Sequence, residues 1–176
     1  MDGPRVDAPE LAIARAILRT NPRVSGVGAL ELAVATARDA RAQRLDPEFF
    51  AATMLQESAY NPNAVSAAGA LGIAQFMLGT ADDAGVDPFD PYAALAGAAR
   101  LLGGYVRAYT GVYPDPYAVA LAAYNAGPGA VDRHHGVPPY SETREYISII
   151  YERWVRMDGY ERHPAEYPSL QWKADS

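Results

Sequence analysis

Asp46-Pro47-Glu48-Phe49-Phe50-Ala51-Ala52-Thr53-Met54-Leu55-Gln56-Glu57-Ser58-Ala59-Tyr60-Asn61-Pro62 is the stretch on which the reading of this chain turns. Asp46 reads as an N-cap, Pro47 as a first-turn proline and Glu48 as an acid suited to the positive end of a helix dipole. A helix is expected from Glu48 to about Ser58, stopping before the Asn61-Pro62 turn. At 100° per residue, Phe50, Met54 and Glu57 fall within about 60° of arc. A carboxyl group at the end of an apolar stripe loses hydration, which disfavours its charged form and raises its pKa. Kept protonated near neutral pH, it can donate a proton to a leaving oxygen, as a glycosidase acid must. A boundary glutamate that reaches solvent or pairs with an arginine is the plainer alternative.

Outward from this helix the apolar positions mostly recur at three and four residues, and alanine is abundant. A helical segment from about Pro9 to Thr20 is closed by Asn21-Pro22, and another runs from about Gly28 to Arg44. Asn61 to Gly72 lacks periodicity and reads as a loop or a small irregular hairpin. A short helix is expected from about Ile73 to Ala84, with Gly85 past its end. Asp90-Pro91 and Asp115-Pro116 repeat the cap-and-proline start, giving helices to about Tyr109 and Ala126. The second of these is closed by Gly127-Pro128-Gly129. A loop with two histidines and Pro138-Pro139 then leads to Ser141, which can cap a last helix from Glu142 to about Met157. Asp158 to Ser176, with Pro164 and Pro168, reads as loop. The expectation is one mainly α domain.

Composition narrows the function classes. The 176 residues hold 49% apolar and 20% charged side chains, enough for a packed core. The net charge of −6 argues against a nucleic-acid binder or a polybasic membrane-surface protein. There is no cysteine, so disulfides, thiolate chemistry and sulfur-ligated zinc are excluded. No run approaches the ~20 apolar residues of a membrane span. Met1 to Glu10 carries Asp2, Asp7, Glu10, Gly3, Pro4 and Pro9, unlike the positive start and apolar run of a signal peptide. A mature or trimmed chain and a chain delivered without a signal, as phage enzymes are, both fit.

Three further segments can carry chemistry. In Gly69-Ala70-Leu71-Gly72-Ile73-Ala74-Gln75, two glycines permit tight turns and close approach of a ligand to backbone, and Gln75 is expected in a first helical turn. In Ala123-Tyr124-Asn125-Ala126-Gly127, Tyr124 shares a face with Tyr117 and Leu121, and its inward hydroxyl wants a partner such as a carboxyl. In Ser141-Glu142-Thr143-Arg144-Glu145-Tyr146, Glu142 and Tyr146 are one turn apart. A plain turn, a helix end and a solvated acidic first turn are the bland readings of the three. The adjacent His134 and His135 would diverge by ~100° on a helix, so no metal site is expected.

Taken in order, these segments resemble the soluble-type lytic transglycosylases, peptidoglycan-cleaving enzymes with a goose-type-lysozyme-like catalytic domain. The resemblance rests on Glu57-Ser58-Ala59-Tyr60-Asn61-Pro62 with Ser66 and Gly69, then Gly72-Ile73-Ala74-Gln75-Phe76-Met77. Ala122 to Gly129 and Pro139 to Tyr146 complete it, over about Pro47 to Trp154. It implies a single two-lobed helical domain of the lysozyme-like (α+β) superfamily with a substrate groove, the segments before Asp46 and after Met157 flanking the match. It implies Glu57 as the catalytic acid/base. It places Ser66, Gln75 and Met77 along the sugar groove, Tyr124 and Asn125 beside the catalytic carboxyl, and Glu142 and Tyr146 in supporting positions. The family most often has Met where Ala74 stands and Pro where Leu78 stands. The implied partner is the peptidoglycan glycan strand, with no cofactor, no metal and a monomeric chain. The implied location is extracytoplasmic, in periplasm or cell wall, or phage-delivered.

The mechanism expected from the resemblance uses one carboxyl. A two-carboxylate glycosidase needs a second acid ~5–9.5 Å away. The Glu57 helix offers only Glu48, on its far side, and Asn61 to Gly72 contains no acid. A hydrolytic muramidase, with Asp82, Asp83 or Glu142 positioning water, is the alternative on the same scaffold. A non-catalytic peptidoglycan-binding module is the alternative outside enzymes.

Overall fold

The computed structural model describes residues 6–157. Eight helices lie among them: α1 Ala8–Thr20, α2 Gly26–Ala42, α3 Pro47–Ser58, α4 Leu78–Ala84, α5 Pro91–Tyr109, α6 Pro116–Ala126, α7 Pro128–His134 and α8 Ser141–Met157. The only β pairing among the described residues is isolated bridges. The mainly α expectation holds. The expected tail over 158–176 lies outside the described residues.

The same capping device starts three helices. Asp46 accepts from the Phe49 N–H at 3.0 Å, Asp115 from the Ala118 N–H at 3.0 Å, and Asp90 from the N–H groups of Tyr92 and Ala93. In each case the following proline occupies a position whose N–H has no helical partner anyway.

The chain divides at Ala99–Arg100 into two compact units. In the first, α1 packs on α2 and α3, and α2 packs on α3. Ile13, Ile17, Ala33, Phe49, Phe50 and Met54 are fully buried there. Each large side chain so buried contributes about 1.5–3 kcal/mol. In the second unit α6 packs on α7 and α8, and Leu102, Leu121, Ile147 and Tyr151 are fully buried. The Tyr151 hydroxyl donates to the Asp115 carboxylate (2.8 and 2.9 Å), so the N-cap of α6 is also a tie to α8.

Two sequence expectations need correction. The helix expected over Ile73 to Ala84 begins only at Leu78, and Gln75 is not in its first turn. Leu71 and Phe76 instead exchange both backbone hydrogen bonds (2.9 and 3.0 Å) around a tight turn. Gly72 (φ +71°) and Gln75 (φ +51°) take left-handed conformations in it. Paired with the Val65 to Leu71 bridge, this gives 61–77 the character of the small irregular hairpin. The second correction is α7, which lies where the sequence predicts a loop. Pro128 stands at a helix start, so Gly127-Pro128-Gly129 ends one helix and opens the next. Smaller shifts affect α2, which starts at Gly26 because Ser25 caps it through Gly28 N–H, and ends at Ala42.

Candidate functional site

Glu57 lies in the last turn of α3, half-buried, on the stripe that includes the fully buried Phe50 and Met54. The chain leaves α3 through two consecutive left-handed residues, Ala59 (φ +52°) and Tyr60 (φ +59°). Outside glycine this conformation costs roughly 1–2 kcal/mol per residue. Tyr60 is fully buried, and its hydroxyl lies 2.9 Å from Thr36 Oγ1. Because Thr36 already donates to the Leu32 carbonyl (2.7 Å), Tyr60 is the donor in that pair. Burial pushes the Tyr60 hydroxyl's pKa up, holding it neutral.

Ser58 connects this helix end to the segment that follows. Its hydroxyl donates to the Ile73 carbonyl at 2.7 Å and accepts from the Asn61 N–H at 3.2 Å. The residue after Glu57 therefore fastens the 61–77 segment to the end of α3. The sequence motif contains Ser58 without disclosing this tie. The available signal is a short hydroxyl side chain at a helix end, which habitually bonds to backbone.

Ser66 and Gln75 are both half-buried and both hold the segment's own backbone. Ser66 Oγ accepts from Ala70 N–H at 3.0 Å, closing the 66–70 turn. Gln75 Nε2 donates to the Gly72 carbonyl at 2.8 Å. Met77 precedes α4 with 49% of its surface exposed, a thioether available to an apolar ligand face. Gly72 is the tightest point: a Cβ there would lie 1.7 Å from the Pro88 carbonyl oxygen.

In the second unit, Tyr124 and Asn125 are half-buried at the end of α6. Asn125 Oδ1 accepts from Thr143 Oγ1 at 2.8 Å. A pocket of about 570 Å³ brings Asn125, Tyr140, Glu142 and Thr143 together. Glu142 is exposed. Tyr146 is 8% exposed and does not line that pocket. His134 lies edge-on to Tyr140, Nε2 3.3 Å from its hydroxyl.

Three of the acids weighed as partners of Glu57 belong to the first unit. Glu48 is nine residues back on α3, about 13 Å along the axis at 1.5 Å per residue. Asp82 and Asp83 are exposed on α4.

The family model of the Transglycosylase SLT domain matches residues 35–147. The membrane-bound lytic murein transglycosylase F of Shewanella halifaxensis (strain HAW-EB4) is 37% identical over 91 residues, which are 50% of this chain and 19% of that protein. Its namesake from Maricaulis maris (strain MCS10) is 42% identical over 85 residues, 47% of this chain and 19% of that one. The matched part is thus about a fifth of the length of these relatives. Among solved structures, an inactive glutamate-to-glutamine mutant of the lytic transglycosylase Slt from Pseudomonas aeruginosa superposes with a TM-score of 0.58 at 26% identity. That match covers 72% of this chain and 24% of the other. A family match over more than half of the chain, agreeing with the motifs in order and with a solved helical relative, places this protein in the Transglycosylase SLT domain family.

Proposed function

We propose that this domain is a lytic transglycosylase that cuts the β-1,4 bond between N-acetylmuramic acid and N-acetylglucosamine in peptidoglycan, outside the cytoplasm, with Glu57 as acid and then base. The observation that carries the reading is a half-buried carboxyl at the end of a buried helical stripe, followed by an acid-free segment pinned to the helix end by Ser58. Glu57 protonates the glycosidic oxygen as the C–O bond breaks. The muramoyl N-acetyl group stabilises the cation left at C1. The Glu57 carboxylate then takes the proton of the sugar's own 6-hydroxyl, whose oxygen closes a 1,6-anhydro ring. Glu57 ends protonated, as it began, and no water is consumed.

Ser66, Gln75 and Met77 are assigned to the sugar groove, and Tyr124, Asn125, Glu142 and Tyr146 to supporting roles. The side-chain bonds of Ser66 and Gln75 to backbone support roles as shapers of the sugar-binding wall. The solved relative is an inactive mutant with a glutamate exchanged for glutamine, which supports an essential glutamate in this reading.

Glu57→Gln tests the reading, because it keeps side-chain size and removes the transferable proton. Cleavage of purified peptidoglycan should fall by at least ~10²–10⁴-fold with folding and glycan binding retained. Wild-type products should carry 1,6-anhydromuramic ends, one water lighter than hydrolytic products by mass spectrometry. Reducing muramic ends would transfer the assignment to a hydrolase. An active Glu57→Gln protein would refute Glu57 as the acid, and strand binding without cleavage by the wild type would leave a binding module.

A further inference from the structure

The turn between α1 and α2 lies outside the 35–147 family match, yet it is fastened to the end of the Glu57 helix. Asn21 Nδ2 donates to the carbonyl of Ala59, the left-handed cap of α3, at 3.0 Å. Asn21 Oδ1 accepts from the Arg23 N–H at 3.2 Å, so one side chain sets both the turn and its seat. Between the turn and the start of the 61–77 segment lies an open pocket of about 770 Å³, lined by Asn21, Arg23, Ser58, Ala59, Asn61 and Asn63 among others.

The lining is chemically one-sided. No carboxylate contributes to it. The Ser58 hydroxyl is committed to Ile73 and Asn61, and the Asn61 side-chain Oδ1 to the Asn63 N–H at 3.0 Å. Arg38 and Arg41 are paired with Asp39 and Glu10 at 2.8 and 2.7 Å, whereas Arg23 has no carboxylate partner among the described residues. A guanidinium without a carboxylate partner, in a pocket with no acid in its lining, has the chemistry to accept a carboxylate. Peptidoglycan strands carry peptide stems bearing ionised carboxylates.

We propose that this pocket is an anion subsite that takes a carboxylate of the substrate's peptide stem, with Arg23 as its contact residue. The identity of the ligand rests on the peptidoglycan reading above. Ser58 and Ala59, the two residues after Glu57, line this pocket, and Glu57 itself does not.

The test uses the full chain, labelled with nitrogen-15, and the sugar-free tetrapeptide stem as probe. The peptide should shift the amide signals of Arg23, Ala59 and Asn63. Amidation of its carboxylates, or Arg23→Gln, should weaken binding about fivefold, the scale of an exposed ion pair. Arg23→Lys should recover part of the loss. Shifts absent from these residues, or indifferent to amidation and to Arg23→Gln, would overturn the proposal. Arg23 is exposed and should be replaceable without unfolding. In cleavage assays Arg23→Gln should raise KM for peptide-bearing strands about fivefold more than for amidase-stripped strands. Equal effects on both substrates would also overturn it. If the wild type binds the stem at Arg23 but cuts neither substrate, the transglycosylase reading falls and the anion subsite stands. Cleavage without stem binding overturns the subsite and leaves the transglycosylase reading in place.

Discussion

Replacing Gly72 with alanine should lower stability more than any other single added methyl group in the 61–77 segment. Gly72 sits at φ +71°, where a Cβ would lie 1.7 Å from the Pro88 carbonyl oxygen and 2.8 Å from its carbon. Both are backbone atoms, so no rotamer change relieves the overlap. The left-handed conformation costs an alanine about 1–2 kcal/mol, and forcing extra volume into a packed site about 1–3 kcal/mol more. The sum is about 3 kcal/mol, and at 2–4 °C per kcal/mol for a chain of this size Tm should fall by about 6–12 °C. Gly69→Ala is the control, because Gly69 also has positive φ (+87°) but nothing within 4 Å of its virtual Cβ. It should show the strain alone, about 1–2 kcal/mol. The Gly72 carbonyl also accepts from Gln75 Nε2, and its N–H donates to Ala64 at 2.8 Å. A displaced Gly72 therefore moves Gln75 with it, and activity should suffer beyond the loss of folded protein. Calorimetric melting of the two variants decides the matter: equal Tm values would refute the argument that close approach to Pro88, rather than φ, makes Gly72 necessary.

Thr36→Val strands the buried Tyr60 hydroxyl and should cost about 1–3 kcal/mol in urea titration, more than Tyr60→Phe, which removes one net bond worth about 1 kcal/mol. The pH dependence has a definite sign: burial raises the Tyr60 pKa above the ordinary 10.0, so its contribution is complete below that value. Above about pH 10 the unfolded state loses the proton first, and stability should fall by up to ~1.4 kcal/mol per pH unit, a slope that Tyr60→Phe reduces. Asp115→Ala removes the α6 cap and the acceptor of the buried Tyr151 hydroxyl, with an expected loss of about 2–4 kcal/mol by denaturant titration. Tyr124→Phe should slow turnover about 5- to 150-fold, the kinetic equivalent of one orienting bond of ~1–3 kcal/mol, with little change in Tm; an unaltered rate would remove Tyr124 from the site.

The parts of the fold legible in the sequence are those with local causes. Asp46-Pro47, Asp90-Pro91 and Asp115-Pro116 each announce a helix because cap and proline act within one turn, and α3, α5 and α6 begin there. Gln75 departs from its sequence expectation for the opposite reason. Its neighbours Ile73 and Phe76 are apolar at helical spacing, but the backbone is claimed by the exchange of hydrogen bonds between Leu71 and Phe76 and by the approach of Pro88 to Gly72. Nothing local to 73–77 encodes a contact with residue 88. The helix α7 is hidden in the sequence because a Gly-Pro-Gly run signals an end and a beginning with the same residues.

The same division applies to the candidate site. Glu57 is legible because helical register alone puts it on the Phe50–Met54 stripe, and the structure finds it there, half-buried. What the carboxyl faces depends on where the chain goes next, and that is decided by contacts distant in sequence. Tyr60 anchors on Thr36 of α2, Ser58 on Ile73, and Asn21 on Ala59. All three ties converge on the three residues after Glu57, where two non-glycine residues hold left-handed backbone at an expected cost of roughly 1–2 kcal/mol each. A helix end held in strain by three separate anchors suits the role proposed for Glu57. Under that proposal one carboxyl meets the glycosidic oxygen in one geometry and the 6-hydroxyl in the next, and the acid-free segment after it offers no second carboxylate to correct its position.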